Sequence, residues 1–154
     1  MPFEKEILEV IAKASSNTAD PKRAEANLLR LAEASFERDF FLPHIKKTAG
    51  LFAVSQFLAN FCAANPDELM SALKELDTPV TKTLLLEKAA DELALDKDLN
   101  VVDVMREMRT FKKRQLLRIT LRDITGVTDT LTSMHELTAL SEVVIDFAIQ
   151  CSMK

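Results

Sequence analysis

Glycine and the large polar aromatic residues are what this sequence most clearly lacks. Only Gly50 and Gly126 occur among its 154 residues, and there is no Trp and no Tyr. Hairpin turns consume glycine, and strands favour aromatic and β-branched residues. A loop that cradles phosphate also needs clustered glycines, so that backbone N–H groups can approach the anion. The composition therefore predicts an all-α fold and argues against a nucleotide-binding loop in this chain.

The sequence also lacks the usual features of exported, membrane-spanning and nucleic-acid-binding proteins. No apolar run approaches the ~20 residues of a membrane span, and the first residues, MPFEKEILEV, do not resemble a signal peptide. The formal net charge is −4, whereas a general nucleic-acid binder is usually basic. Cys62 and Cys151 lie in apolar helical runs, which favours reduced thiols over a disulfide. We therefore expect a cytoplasmic protein whose partners are neither nucleic acid nor a membrane.

Prolines and capping residues predict where several helices begin. Pro21, Pro66 and Pro79 each follow a residue type that caps helix N-termini, so we expect helix starts near residues 4, 21, 66 and 79. Asn65 and Glu68 have the spacing of a capping box. The segment LFAVSQFLANFCAA (51–64) is apolar on most of its circumference, which predicts one central helix.

Two long helices are predicted in the last third of the chain. Apolar residues recur at helical spacing from Val101 to about Arg122, and again over residues 129–152. Gly126 lies between the two segments and fits a helix C′ position in the left-handed conformation. The expected architecture is a compact multi-helix bundle of about seven helices in a single domain, residues 1–154, ending in a long antiparallel helix pair.

The sequence offers no set of side chains at the spacing that catalysis or metal binding requires. His44 and His135 lie far apart, and neither has a carboxylate or cysteine at ligand spacing on a shared helix face. Glu142 and Asp146 are four residues apart, but a solvated acidic face explains them better than a divalent ion. Cys62 and Cys151 have no neighbouring histidine base. We therefore predict no catalytic, cofactor-binding or metal-binding residue in this chain.

The first of the two long helices is unusually basic. It contains seven cations: Arg106, Arg109, Lys112, Lys113, Arg114, Arg118 and Arg122. Such a concentration repels itself unless carboxylates or phosphates face it. One interpretation is internal pairing with acids of neighbouring helices, for instance Glu136, Glu142 and Asp146. The other is a docking face for another domain, a partner protein or a nucleotide, and its candidate residues are Arg106, Arg109, Lys113, Arg114, Arg118 and Arg122.

The same helix and its successor resemble a known family. The string MREMRTFKKRQLLRITLRDITG, followed by LTALSEVVIDFAI, is similar to the helical region of glutamine synthetase adenylyltransferases. There a basic helix leads into an Arg-Asp-Leu-x-Gly turn and then a helix with a Leu-Ser motif. The stretch LFAVSQFLANFCAANPDEL (51–69) is similar to another helical segment of that family. The matching positions of the hairpin are Arg109, Phe111, Lys112, Arg114, Arg118, Ile119, Arg122, Asp123, Gly126, Leu140 and Ser141.

The resemblance implies that this chain is the noncatalytic N-terminal helical region of a much larger enzyme. In that family a nucleotidyltransferase domain would follow residue 154, and Mg and ATP would bind in the full-length enzyme rather than in this segment. One half of the enzyme attaches AMP to glutamine synthetase and the other removes it, under control of the PII signal protein. The implied partners are therefore the adjoining nucleotidyltransferase domain and, through the full-length enzyme, glutamine synthetase and PII. The alternative is a free-standing helical module that docks an acidic partner through its basic helix.

Overall fold

The computed structural model describes residues 5–34, 38–93 and 100–153, and within these ranges it contains eight α-helices and no strand. The all-α prediction is confirmed, and none of the described helices is long and apolar enough to cross a bilayer. Contacts group the chain into two compact units, Met1–Glu75 and Leu76–Lys154. The single domain expected for residues 1–154 stays a prediction. The helices are α1 (Lys5–Ser16), α2 (Pro21–Ala34), α3 (Arg38–Val54), α4 (Gln56–Ala64), α5 (Pro66–Lys74), α6 (Lys82–Glu92), α7 (Val101–Ile124) and α8 (Thr130–Ser152).

The first unit is arranged around α2, which contacts α1, α3 and α4. Its start follows the predicted signal, because the Asp20 carboxylate accepts a hydrogen bond from the backbone N–H of Arg23 at 3.1 Å and Pro21 occupies the first turn. Ile11, Leu28 and Phe52 are fully buried in this unit. Large apolar side chains from three helices thus supply the core that orders the unit.

The apolar stretch 51–64 forms two helices, so the prediction of one continuous helix was wrong. Ser55 has extended backbone (φ −137°, ψ 99°), and its hydroxyl accepts a hydrogen bond from the N–H of Leu58. A serine at this position is an efficient N-cap, because its oxygen satisfies an N–H group that the new helix leaves without a partner. The break therefore ends α3 at Val54 and starts α4 at Gln56.

Polar side chains of α2 satisfy the backbone at this break. Arg23 donates to the carbonyl oxygen of Ala53 at 3.2 Å, and Asn27 donates to that of Phe52 at 3.4 Å. Asn27 and Gln56 also exchange two side-chain hydrogen bonds, at 3.0 and 3.1 Å. The last carbonyl groups of a helix have no partner within it. Side chains of α2 therefore supply the hydrogen-bond donors that the carbonyl groups at the end of α3 need where the helix breaks.

The second unit consists of α6 and the hairpin of α7 and α8. Its core joins all three helices and the segment before α6, through Val80, Leu85, Ala89, Leu93, Phe111, Ile119, Leu140 and Val143. Two side-chain hydrogen bonds join the helices: Asp123 accepts from Ser133, and Arg122 donates to Glu136. The pair that lies farther from the turn is also the pair with the larger separation in sequence. This nesting makes α7 and α8 antiparallel, and the predicted long helix pair is confirmed.

The predicted helix starts have mixed outcomes. Pro66 does begin α5, but the side chain of Asn65 makes no capping bond and donates instead to the carbonyl of Phe61, so the capping-box prediction was wrong. No helix begins at Pro79: α6 starts at Lys82, with Thr81 as its N-cap. The start expected near residue 4 lies outside the described residues.

We expect Ser55→Ala to destabilise the protein by about 1 kcal/mol, because it removes the side-chain acceptor at the N-terminus of α4. Ser71→Ala is the matched control, since it makes the same substitution at an exposed position inside α5, where Ser71 caps no helix. Urea unfolding followed by circular dichroism measures both. Equal losses in the two variants would show that Ser55 is not the stabilising cap described above.

Candidate functional site

The cations of α7 divide into a buried group near the turn and an exposed group near the N-terminus of the helix. The side chains of Arg118 and Arg122 are buried, and that of Arg114 is 28% exposed. Arg106, Arg109 and Lys112 are exposed, and Lys113 is half-buried. Spacing by fours places Arg114, Arg118 and Arg122 along one side of the helix. That side faces the protein interior, so Arg118 and Arg122 do not belong to a surface in this structure.

Arg122 lies at the centre of a buried polar network. Its Nε lies 3.1 and 3.3 Å from the two carboxylate oxygens of Glu136, and its Nη1 donates to the carbonyl oxygen of Leu76 at 2.5 Å. Glu136 also accepts a hydrogen bond from the N–H of Val80 at 3.0 Å. Both ionic side chains are only 5% exposed. The pair therefore fixes the chain before α6 against both helices of the hairpin.

Neighbouring cations of the buried group also have partners within the protein. Arg114 forms an ion pair with Glu92 of α6, and Arg118 donates to the side-chain oxygen of Gln115 at 2.9 Å. Gln115 is itself fully buried. Internal pairing, the first of the two interpretations of the basic helix, is thus observed for Arg114 and Arg122. Glu136 is one of the acids expected to take part, whereas Glu142 pairs elsewhere.

The turn between α7 and α8 is the Arg-Asp-x-x-Gly segment of the sequence. Gly126 has φ +72°, a conformation in which glycine avoids the strain of a Cβ atom. Its N–H donates to the carbonyl of Asp123 at 3.1 Å, and the N–H of Val127 donates to that of Arg122 at 3.0 Å. These two bonds define a Schellman motif, and the predicted C′ role of Gly126 is confirmed.

Side chains on both helices close the same turn. The hydroxyl of Ser133 donates to the Asp123 carboxylate at 2.7 Å and lies 2.9 Å from the hydroxyl of Thr128. Asp129 caps α8 by accepting from the N–H of Thr132 at 2.7 Å, and this hydrogen bond lowers the pKa of its carboxyl group. Sequence reasoning missed Ser133, because a serine inside a helix gives no signal of a partner on the preceding helix.

The exposed cations near the N-terminus of α7 make fewer contacts within the protein than the buried ones. Arg106 pairs with Asp103 at 2.8 Å and lies 3.7 Å from Glu107. Within the described residues, Arg109 and Lys112 have no ion pair and point to solvent. Their spacing of three residues places them on one helix face. Of the predicted docking residues, Arg106 and Arg109 are therefore exposed in the structure. Lys112, which was not among the predicted docking residues, is exposed as well.

The other candidate groups do not assemble into a chemical site in the described part of the chain. Glu142 pairs with Lys82 at 2.7 Å, and this hydrogen bond raises the pKa of the lysine. Burial raises the pKa of Cys62 to about 12, and both cysteines are free. No group of three or more His, Cys, Asp or Glu side chains in the described ranges is placed to hold a metal ion.

The described helices form an all-α protein in which the buried Arg122 pairs with the buried Glu136 inside the hairpin. The profile of the glutamate–ammonia ligase adenylyltransferase family matches residues 45–154, which include the whole hairpin. The chain belongs to this family. No solved structure matches it.

Two curated relatives agree with this assignment. Both are bifunctional glutamine synthetase adenylyltransferase/adenylyl-removing enzymes. The one from Nitrosomonas eutropha is 26% identical over 102 residues, covering 66% of this chain and 11% of the relative. The one from Corynebacterium efficiens is 21% identical over 161 aligned residues, covering 96% of this chain and 15% of the relative. The chain thus spans only a small part of the length of these relatives.

We expect Glu136→Gln to destabilise the protein by about 3 kcal/mol, because it leaves the buried Arg122 guanidinium without a counter-charge. Glu142→Gln removes the same charge from α8 at an exposed ion pair, so it should change stability much less. Urea unfolding measures both variants.

A double apolar variant tests whether the hydrogen bonds to the backbone contribute to stability in addition to the ion pair. Arg122→Met with Glu136→Leu removes both charges but also leaves the carbonyl of Leu76 and the N–H of Val80 without partners. We expect it to stay clearly less stable than the unmodified protein. Full recovery of stability would show that the network contributes only charge pairing.

Proposed function

We propose that this chain is a noncatalytic helical segment of a glutamine synthetase adenylyltransferase/adenylyl-removing enzyme. In this role it supports the nucleotidyltransferase domain that regulates glutamine synthetase by adding and removing AMP. The observation that carries the proposal is the family match over residues 45–154, which includes the complete α7–α8 hairpin. The names of both curated relatives support the same assignment.

The geometry of the hairpin supports a scaffolding role for the positions that resemble the family motif. Arg122 binds Glu136 and the backbone of Leu76. Asp123 accepts a hydrogen bond from Ser133, and Gly126 provides the left-handed turn. Each of these groups is used to hold two helices in one arrangement. A hairpin whose helices are joined by these contacts is suited to present a fixed surface to a catalytic domain.

The remaining partners and cofactors follow from this proposal. Mg and ATP bind to the nucleotidyltransferase domain of the full-length enzyme, and no residue of this segment is assigned to them. Glutamine synthetase and the PII signal protein are contacted through the full-length enzyme. Because its substrate is a metabolic enzyme of the cell interior, the full-length protein acts in the cytoplasm.

The test compares the 154-residue chain with the longest product of its gene. We expect the chain alone to transfer no AMP to glutamine synthetase, and the longer protein to adenylylate and deadenylylate it. In the longer protein, Glu136→Gln should lower the thermal midpoint and the activity at elevated temperature, whereas Glu142→Gln should leave both nearly unchanged. AMP transfer by the 154-residue chain alone, or a stop codon directly after Lys154, would contradict the proposal.

A second candidate function is a free-standing helical module that docks an acidic partner. It is favoured by one observation: Arg109 and Lys112 are exposed on one face of α7, and Met105 on the same helix is 45% exposed. An acidic protein surface with some apolar area would complement this face.

This alternative predicts binding that depends on those two cations. Arg109→Glu with Lys112→Glu should abolish recovery of a defined acidic partner from cells, in a chain that naturally ends near residue 154. Lys22→Glu with Lys46→Glu changes two other exposed lysines by the same charge and should not affect recovery. Equal recovery with both double variants would exclude α7 as the docking helix.

A further inference from the structure

Helix α8 exposes large apolar side chains toward both of its ends. Near its start Leu131 is 64% and Met134 60% exposed, and near its end Ile145 is 57% and Ile149 51% exposed. At 3.6 residues per turn these four positions fall on one side of the helix, over a distance of about 27 Å from Leu131 to Ile149. This outer face, which we call the α8 stripe, is therefore one continuous surface.

Small residues occupy the middle of the α8 stripe. Thr138 and Ser141 are exposed there, and their hydroxyl groups donate to the carbonyls of Met134 and Leu137 in the same helix, both at 2.9 Å. Because each hydroxyl already has an acceptor, covering this part of the helix leaves no donor without a partner. Small side chains also let a second helix approach closely. The middle of the stripe is therefore suited to the point where two helices cross.

The stripe has nearly the same order of large and small residues when it is read in either direction. Three pairs of similar side chains have midpoints within half a residue of position 140: Leu131 with Ile149, Met134 with Ile145, and Thr138 with Ser141. At a rise of 1.5 Å per residue, this agreement is better than about 1 Å along the helix axis. An antiparallel copy of α8 therefore places large side chains beside large ones and small beside small.

The ionisable residues beside the stripe follow the same symmetry. Within α8, which is described over its whole length, the exposed ones are His135, Glu142 and Asp146, and their spacing places them along one edge. The midpoint of His135 and Asp146 also lies within half a residue of position 140. Two antiparallel copies bring the same edges together, so His135 of each copy lies beside Asp146 of the other. Glu142 lies near the centre, where its charge is already paired with Lys82 at 2.7 Å.

We infer that the α8 stripe binds the α8 stripe of a second copy of this chain, in an antiparallel arrangement about a two-fold axis near residue 140. A two-fold interface requires a surface that is complementary to itself. The stripe meets this condition in side-chain size and in charge, and the inference does not depend on the proposed function. A strip about 27 Å long and about 12 Å wide covers roughly 300 Å² of each copy, less than the ~800 Å² of a standard interface. The expected dimer is therefore weak.

Sedimentation velocity of the 154-residue chain, from about 10 μM to about 1 mM, tests the association. We expect the average mass to rise toward that of two copies. Leu131→Glu with Ile145→Glu should keep the chain monomeric, because it places carboxylates within the apolar stripe. Leu8→Glu with Val54→Glu makes the same change at two exposed apolar positions outside α8 and should leave the association unchanged. Circular dichroism checks that each variant is folded. A chain that stays monomeric throughout this range would overturn the inference.

A charge exchange tests the arrangement of the two copies. His135→Glu places a carboxylate beside Asp146 of the other copy at two symmetric points, so it should weaken the dimer about tenfold. Combining it with Asp146→Lys restores opposite charges at both points and should recover most of the lost affinity. If the double variant associates no more strongly than His135→Glu alone, these residues do not meet and the antiparallel arrangement is wrong.

Disulfide cross-linking distinguishes an antiparallel pair from a parallel one. The experiment uses Cys151→Ser as its background, and Cys62 is buried with a pKa raised to about 12, which keeps its thiol unreactive. Ser141→Cys lies near the axis and should cross-link with itself under mild oxidation. Leu131→Cys should not, because its two copies lie about 27 Å apart, but it should cross-link with a chain carrying Ile149→Cys. Efficient cross-linking of Leu131→Cys with itself would indicate a parallel pair and contradict the inference.

Discussion

The buried pair of Arg122 and Glu136 is the interaction on which the second unit depends. Two ions removed from water are stable only if their remaining donors and acceptors are satisfied. Here the carboxylate also receives the N–H of Val80, and the guanidinium also reaches the carbonyl of Leu76. The pair thus joins α7, α8 and the segment before α6 at one point. Its main effect is to select one arrangement of these elements, because any shift in register would leave a buried charge without its partner.

The turn at Gly126 sets the register that this pair requires. The left-handed glycine and the two Schellman bonds end α7 at a defined residue, and Asp129 starts α8 five residues later. The hydroxyl of Ser133 in α8 donates a hydrogen bond to the carboxylate of Asp123 in α7. Local backbone chemistry therefore places Glu136 opposite Arg122. These local bonds hold the two helices in the register that the buried pair requires.

Features fixed by local chemistry were predictable from the sequence, and features fixed by distant partners were not. The C′ glycine at Gly126 and the start of α5 at Pro66 depend on neighbouring residues alone. The break at Ser55 was missed because a single serine in an apolar run also fits a continuous helix, and the donors to the last carbonyls of α3 come from α2, about 25 to 30 residues earlier. The start of α6 was misplaced for a similar reason: Val80 lies before the helix, and its N–H donates to Glu136, 56 residues away. Glu136 itself was anticipated as a partner for the basic helix, but its backbone contacts were not.

Several positions of the hairpin reverse the usual distribution of charged and apolar residues on surface helices. Arg118, Arg122 and Glu136 are buried, while Leu131, Met134 and Ile145 face outward. Buried ions cost desolvation energy and favour one register, so the inner face contributes mainly specificity. An outer apolar face contributes nothing to the stability of an isolated chain, because its burial requires a second surface. The same hairpin would therefore gain further stability if a second surface covered this face, as the pairing of α8 with a second copy proposed above requires.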